Sequence, residues 1–334
     1  MRTRTMQQGA RVWAMTAVLF ASAAGAAEWR PITKELLQTT KPGYGGLSGV
    51  AVDHRTGYLY VDVSDRGIYR STDQGGSWKR LGAEFKGRTE WPGCLMIDPV
   101  GDGKRMLIAT VYGAPVARGT IDGDWKFADK KSAHVDWCAV DWSDPKMRFL
   151  LALKHESGGM LIVSRDGGDT FAEIGKGHGP AWIFDGDTAV VAQMKTKEHP
   201  KPALLRTTDG GKTFQPCGEY TAHALPRWHD GKLYWLVEGA LLTTADKGEH
   251  WTKVSDLKDG RFGPIFGADA KHLFVLTGGG IVESRDGGAS WSKPIELPKE
   301  LKGVSALTWM EHDPKNDVLY VMKMSSELYK LSRK

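Results

Sequence analysis

The sequence is poor in the features that mark several large classes of protein. It has only three cysteines in 334 residues, too few for a disulfide framework. Long helical periodicity is missing. Past the N-terminal segment there is no apolar run long enough to cross a bilayer as a helix. Charge of one sign is also scarce. The formal net charge is +5, and Arg2, Arg4 and Arg11 lie in the first 26 residues, which carry no acid. Without them the net charge falls to +2. A nucleic-acid partner normally requires a basic face, so none is expected. With 41% hydrophobic and 25% charged residues, a mainly disordered chain is excluded.

The first 26 residues read as a secretory signal peptide. Basic residues precede an apolar run from Val12 to Ala23, and small residues follow, ending Ala24-Gly25-Ala26-Ala27. The paired arginines of a twin-arginine signal are absent. The expectation is a periplasmic or secreted protein whose mature chain, residues 27–334, forms one domain without a membrane span.

Glycine and tryptophan are abundant. Glycine numbers 41, about 12% against the usual ~7%, and tryptophan numbers 13. Such a chain favours short strands and tight turns. A short frame recurs at 71-STDQGGSW-78, 164-SRDGGDTF-171, 207-TTDGGKTF-214, 244-TADKGEHW-251 and 284-SRDGGASW-291. A degenerate copy runs from Arg118 to Trp125, and a seventh begins in 328-LYKLSRK-334. The spacing is 37 to 47 residues. Within the frame the Asp carboxylate can accept backbone N–H bonds from the following turn, and the fifth-position Gly supplies a positive φ. Each period holds four short apolar segments, for example 135–142, 148–155, 160–165 and 171–174. Four strands per repeat of about 45 residues describe a propeller blade. The last repeat has room for three strands, and 28-EWRPI-32 can supply the fourth, which removes the open edge. The expected fold is all-β, a seven-bladed β-propeller with four-stranded blades closed by the N-terminal strand. A closed propeller needs no partner at its edges, so a monomer is expected.

The Ser-x-Asp-x-Gly-x-Thr-Trp frame resembles the Asp-box, or BNR, repeat of sialidase-like β-propellers, and the resemblance spans the mature chain. That family includes sialidases, xyloglucanases, sortilin-type receptors and photosystem II assembly-factor-like proteins. The resemblance implies structural Asp boxes on the face opposite the active site. It does not imply sialidase activity. The family's early Phe/Tyr-Arg-Ile-Pro motif is replaced by Trp29-Arg30-Pro31-Ile32, which falls in the closing strand. Xyloglucanase-like enzymes use two propellers, and this chain has one. The acidic spacing of an EF-hand is missing from the frame, which argues against calcium.

On the face away from the repeated turns, one position per blade forms the ring Gly45, Glu90, His134, His178, His223, Arg261 and Gly303. Imidazoles at His134, His178 and His223 would suit a divalent transition metal such as Mn, Zn, Ni or Cu, with Glu90 or water completing the set. The arrangement is analogous to that of seven-bladed oligogalacturonate lyase-like propellers. The loops between second and third strands add Arg66, Tyr112, Lys154, His155, Glu156 and Glu238. Glu90 with Glu156 or Glu238 could form an acid and base pair for glycoside hydrolysis. Lys154 or His155 could instead abstract a proton beside a uronate carboxylate. Arg66, Trp91, Tyr112, Trp137, Arg227 and Arg261 are the candidate substrate contacts, since aromatic faces stack on sugars and arginines bind carboxylates. Cys94 and Cys138 occupy equivalent positions in neighbouring blades and read as two buried thiols. Two readings follow: an exported carbohydrate-directed lyase or hydrolase assisted by a metal, or a non-catalytic propeller that binds a protein or glycan.

Overall fold

The computed structural model describes residues 28–43, 45–82 and 86–333. The signal-peptide reading falls on residues outside this set. Seven antiparallel sheets follow one another along the described chain. Their innermost strands are Gly49–Asp53, Leu95–Ile97, Val135–Val140, His178–Ile183, Arg227–His229, Gly260–Phe266 and Thr308–Asp313, which begin blades 1 to 7. Each blade is a meander in which the strands pair in chain order. In blade 3 the strands are Val135–Val140, Leu150–Lys154, Leu161–Ser164 and Ala172–Gly175, close to the four apolar segments of the sequence. The inner and second strands are almost wholly buried, as expected of strands packed on both faces.

Blade 7 is completed from the other end of the chain. Arg30 pairs with Lys330 and Pro31 with Tyr329, and the Ile32 amide donates to the Leu328 carbonyl at 2.9 Å. This joins an N-terminal segment to the last strand of the described chain and covers the edge of the final sheet. Blade 6 departs from the pattern. It has three strands, and its outer position is reduced to a bridge between Ile281 and Ile295. A short helix, Lys34–Thr40, follows the closing strand and buries Leu36. Nothing in the repeat announced it.

The five good copies of the repeated frame adopt one turn. In the first, Ser71 Oγ accepts from the Gly75 amide and donates to Asp73, whose carboxylate accepts from the Ser77 amide and hydroxyl. The same bonds recur around Asp166, Asp209 and Asp286. At Asp246 the imidazole of His250 replaces the hydroxyl. These bonds stabilise the ionised carboxylate, so Asp73, Asp166 and Asp286 are held down at about 2.

The fifth-position glycine also lets neighbouring blades approach. A Cβ on Gly75 would lie 2.5 Å from Ile32, one on Gly168 2.8 Å from Ala128, and one on Gly288 2.8 Å from Val254. In each case the contact lies across the boundary with the adjoining blade. Blade 2 lacks the frame's serine. There Arg118 takes the position and donates to the Lys146 and Met147 carbonyls of blade 3. All three cysteines are free thiols; Cys94 and Cys138 are fully buried.

Candidate functional site

The antiparallel pairing of inner and second strands decides which loop residues meet. In blade 3, Val135 pairs with Lys154, and the His155 amide donates to the His134 carbonyl at 2.9 Å. The two imidazoles are thereby brought edge to face, with ring centres 4.8 Å apart. His155 Nε2 lies 3.6 Å from Glu156 Oε1. Among the described residues, His134, His155 and Glu156 each offer a ligand atom within 4.8 Å of the others. His134 and Glu156 both hold positive φ, 63° and 50°, a conformation that non-glycine residues adopt only where the surroundings enforce it.

The back of each imidazole is tied down. His134 Nδ1 lies 2.7 Å from the Val111 carbonyl. A carbonyl can only accept, so Nδ1 carries the hydrogen, and in the neutral imidazole Nε2 keeps its lone pair. His155 Nδ1 lies 2.5 Å from Asp136 Oδ1. Burial pushes the Asp136 carboxyl up, and the bond from His155 opposes that rise. Two oriented imidazoles with free Nε2 atoms and a carboxylate form a donor set suited to Zn, Mn, Ni or Cu, and the partners at Nδ1 are of the kind that orient metal-bound histidines.

Tyr112 stands beside this group. Its ring centre is 5.2 Å from that of His134 and 6.1 Å from that of His155, and the residue is 37% exposed. The Arg88 guanidinium lies over the ring at 4.8 Å and is ion-paired with Glu90. Glu90, Tyr112, His134, His155 and Glu156 therefore share one locality between blades 2 and 3. Trp91 adjoins it, partly buried against the core.

A second group forms between blades 5 and 6. His223, Glu238 and Arg261 line a pocket of about 310 Å³ with Lys258 and Asp259. Arg261 is ion-paired with Asp259 at 2.8 Å, and both side chains are more than half exposed.

Several expectations require correction. The three histidines of the ring do not converge. His178 Nδ1 turns to the Gly175 carbonyl at 3.1 Å and its ring rests near Phe214, while His223 belongs to the second pocket. Equivalent height around an axis does not aim side chains at a common point, whereas strand pairing within a blade does. Glu238 is accordingly grouped with His223, not with Glu90. Trp137 is fully buried because it lies within the inner strand, so it cannot contact substrate. Lys154 Nζ donates to the Lys131 and Ala133 carbonyls at 3.0 Å each and holds the chain that leads into His134. Arg66 donates to the Thr40 and Lys41 carbonyls at 2.9 Å each, capping the C-terminus of the short helix. Arg227 points into the central channel, where it faces Glu311.

The channel holds a cavity of about 290 Å³. It is lined by the turns between inner and second strands, including Asp53, His54, Arg55, Asp98 and Gly103. In a meander those turns share a face with the repeated Asp turns. The cavity therefore opens on the face opposite the histidine group. Asp136 and Glu311 were not singled out from the sequence. The apolar-polar-apolar alternation of Val135, Asp136 and Trp137 is the local signal that could have marked Asp136.

Among the described residues, no helix is long and apolar enough to cross a membrane. No protein-family model matches the chain, and no curated protein matches it in sequence. Solved structures do match its fold. The extracellular domain of a hybrid two-component system from B. thetaiotaomicron aligns over 91% of this chain and 40% of its own length, with a TM-score of 0.57 and 9% identity. YCF48 from Cyanidioschyzon merolae aligns over 92% of this chain and 99% of its own, with a TM-score of 0.51 and 13% identity. The GH74 xyloglucanase from Xanthomonas campestris aligns over 92% of this chain and 54% of its own, with a TM-score of 0.52 and 18% identity. At these identities the likeness is one of architecture, and the chain is a seven-bladed β-propeller with four-stranded antiparallel blades as its rule.

Proposed function

We propose that this propeller is an exported carbohydrate-directed protein whose active surface lies between blades 2 and 3, with a divalent transition metal held by His134, His155 and Glu156. The observation that carries the reading is the pair of imidazoles tied back at Nδ1, beside a carboxylate. When bound, such an ion would supply Lewis acidity toward a sugar hydroxyl or uronate carboxylate. The chain's own residues do the rest. Asp136 fixes the tautomer and angle of His155. The half-exposed Tyr112 ring, stiffened by Arg88, offers a flat surface for a sugar. Glu90, paired with Arg88, stands within the same locality as a candidate acid or base. Kinship with sialidase-like Asp-box propellers is supported by the five recurring Asp turns, and export by the N-terminal sequence pattern.

Elemental analysis tests this reading. The mature protein, prepared without chelator or histidine tag, should carry near-stoichiometric transition metal, and His155→Ala should lose it. Uronate-containing polysaccharides should then yield unsaturated products, or neutral glycans reducing ends. Absence of metal after Zn, Mn, Ni and Cu have each been offered removes the metal-assisted reading.

A second reading has its own support. The chain matches nearly the whole length of YCF48 but about half of the xyloglucanase, and a YCF48 structure bound to D1 peptide aligns over 92% of this chain with a TM-score of 0.51. A non-catalytic propeller that binds a protein partner fits that size. Protein and glycan pull-downs on metal-free protein distinguish the two.

A further inference from the structure

The cavity in the central channel is unrelated to the histidine group and has a chemistry of its own. Much of its wall is apolar, built from Leu95, Trp182, Trp228, Ile265 and Phe266. The indoles of Trp182 and Trp228 lie 6.1 Å apart with their planes 5° from parallel. Two charged side chains from different blades meet in this apolar setting. Glu311 of blade 7 is 6% exposed and lines the cavity. Its charged neighbour is Arg227 of blade 5, whose Nη2 is 3.7 Å from Glu311 Oε1. That separation is too long for a hydrogen bond. Among the described residues the Arg227 guanidinium makes no hydrogen bond, and Nε and Nη2 are buried without a partner. It lies over the Phe262 ring at 4.9 Å.

A buried ion pair offsets its desolvation only where good geometry and further hydrogen bonds complete it. Here neither side is complete, and both residues border an open volume. The other titratable groups facing the cavity do not complete it either. Asp53 is held by Arg55 at 3.0 Å, and Asp98 by Arg105 at 2.6 Å. His229 stacks on Phe266 with ring centres 3.9 Å apart, and burial pushes it down. Burial, with His312, His229 and Arg227 nearby, pushes His54 down to about 4, while Asp313 opposes the shift. Both imidazoles are thus neutral at pH 7. Apart from these paired groups, the site presents one permanent cation, Arg227, and one carboxyl, Glu311. Burial pushes that carboxyl up to about 7, against the pull of Arg227.

We propose that this cavity binds a small monocarboxylic acid with a flat apolar body, its carboxylate placed between Arg227 and a protonated Glu311. The ligand carboxylate replaces Glu311 as counter-ion to Arg227. Glu311 takes one proton from solvent and donates it in a hydrogen bond to the ligand, so two carboxyl groups share one proton, as closely placed carboxylates do. The indoles and Phe266 cover the apolar body. The volume is near the lower end of small-molecule sites, about 300 Å³, which suits a single ring.

Benzoate is the probe, with benzyl alcohol as a control that keeps the ring and lacks the carboxylate. Both are titrated into the mature protein at pH 6 and pH 8.5, by calorimetry and by tryptophan fluorescence. Benzoate is expected to saturate at pH 6 and to bind roughly 30-fold more weakly at pH 8.5, because the competent fraction of a group titrating near 7 falls by that factor. Calorimetry in two buffers of different ionisation enthalpy should show about one proton taken up per benzoate at pH 8.5. Glu311→Gln, whose amide can still donate, should retain binding and flatten its pH dependence. Arg227→Met should lose binding. Should that variant not fold, the Glu311→Gln profile and the proton uptake decide alone. The proposal is overturned if benzoate does not saturate at pH 6 by ~20 mM, weaker than ordinary millimolar binding. It is equally overturned if affinity is the same at both pH values, if Glu311→Gln keeps the wild-type pH slope, or if benzyl alcohol binds as well as benzoate.

Discussion

Asp136 lies in the inner strand of blade 3 and His155 one residue past the end of the second, and their side chains meet at 2.5 Å between Oδ1 and Nδ1. The bond fixes which imidazole nitrogen is free, and the free nitrogen is the one that faces Glu156. Removal of such an outer partner typically lowers metal affinity about 10- to 100-fold. Asp136→Asn should therefore weaken the proposed metal site within that range while leaving the fold intact. A competition titration with a chromophoric chelator reads the change directly. Equal affinity in variant and parent would reduce Asp136 to a prop for the loop.

Gly287 and Gly288 allow the blade contact to be separated from the backbone conformation. Both have positive φ, 77° and 94°. A Cβ on Gly287 would meet open space, whereas one on Gly288 would lie 2.8 Å from Val254 in blade 5. Gly287→Ala should cost about 1–2 kcal/mol, the penalty of a left-handed alanine. Gly288→Ala should cost about 1–3 kcal/mol more, from overpacking against the neighbouring blade. Urea denaturation midpoints at unchanged slope provide the comparison. Equal losses would mean that the blade boundary yields freely.

The architecture was legible because its determinants are local and repeated. Each Asp turn is closed by hydrogen bonds between residues two to four positions apart, so the frame carries its own geometry, and its period counts the blades. The closing strand was legible because a final repeat short of one strand leaves an edge that only the N-terminus can reach. The site was legible in part. Glu90, Tyr112, His134, His155 and Glu156 were each singled out, but His134 was grouped with His178 and His223 by symmetry. Strand register was the better guide, since it sets residue 134 opposite residue 155. Arg227 and Glu311 could not have been paired from sequence, because they come from blades that are not neighbours and meet only across the channel. Arg66 and Lys154 were misread for a common reason. A loop cation near a channel mouth and a loop cation that ties down backbone carbonyls look alike until the carbonyls are placed.

The repeated Asp turns should make stability fall in acid. Asp73, Asp166 and Asp286 titrate at about 2 in the folded chain, below the unfolded value of about 3.9. A group depressed by folding contributes stability that is complete above the unfolded pKa and is lost as pH falls through the folded one. The loss is therefore expected between pH 4 and pH 2. The main causes are hydrogen bonds to serine, threonine and backbone amides, so added salt should change the profile little. Asp166→Asn should be less stable than the parent at pH 7, with the gap narrowing toward pH 2. Urea midpoints across this range test it; a gap independent of pH would detach the carboxylate's ionisation from the turn.

Asp62 should act in the opposite sense. It is fully buried at the end of the second strand of blade 1, with Ser48 Oγ donating to Oδ2 at 2.5 Å. Among the described residues, Oδ1 has no hydrogen-bond partner. Burial pushes the carboxyl well above its ordinary value, more than the Ser48 bond and the Thr89 amide can offset. The folded chain therefore holds a proton that the unfolded chain releases near pH 4. A carboxyl raised by folding contributes stability below the unfolded pKa and loses it as pH rises toward the folded one. Asp62→Asn keeps the acceptor for Ser48 and cannot ionise. Its stability relative to the parent should improve as the pH rises above 4, whatever the offset at the acid end. Paired urea titrations at four pH values measure that slope, and a difference that stays constant would show that Asp62 keeps one protonation state in both the folded and unfolded chain.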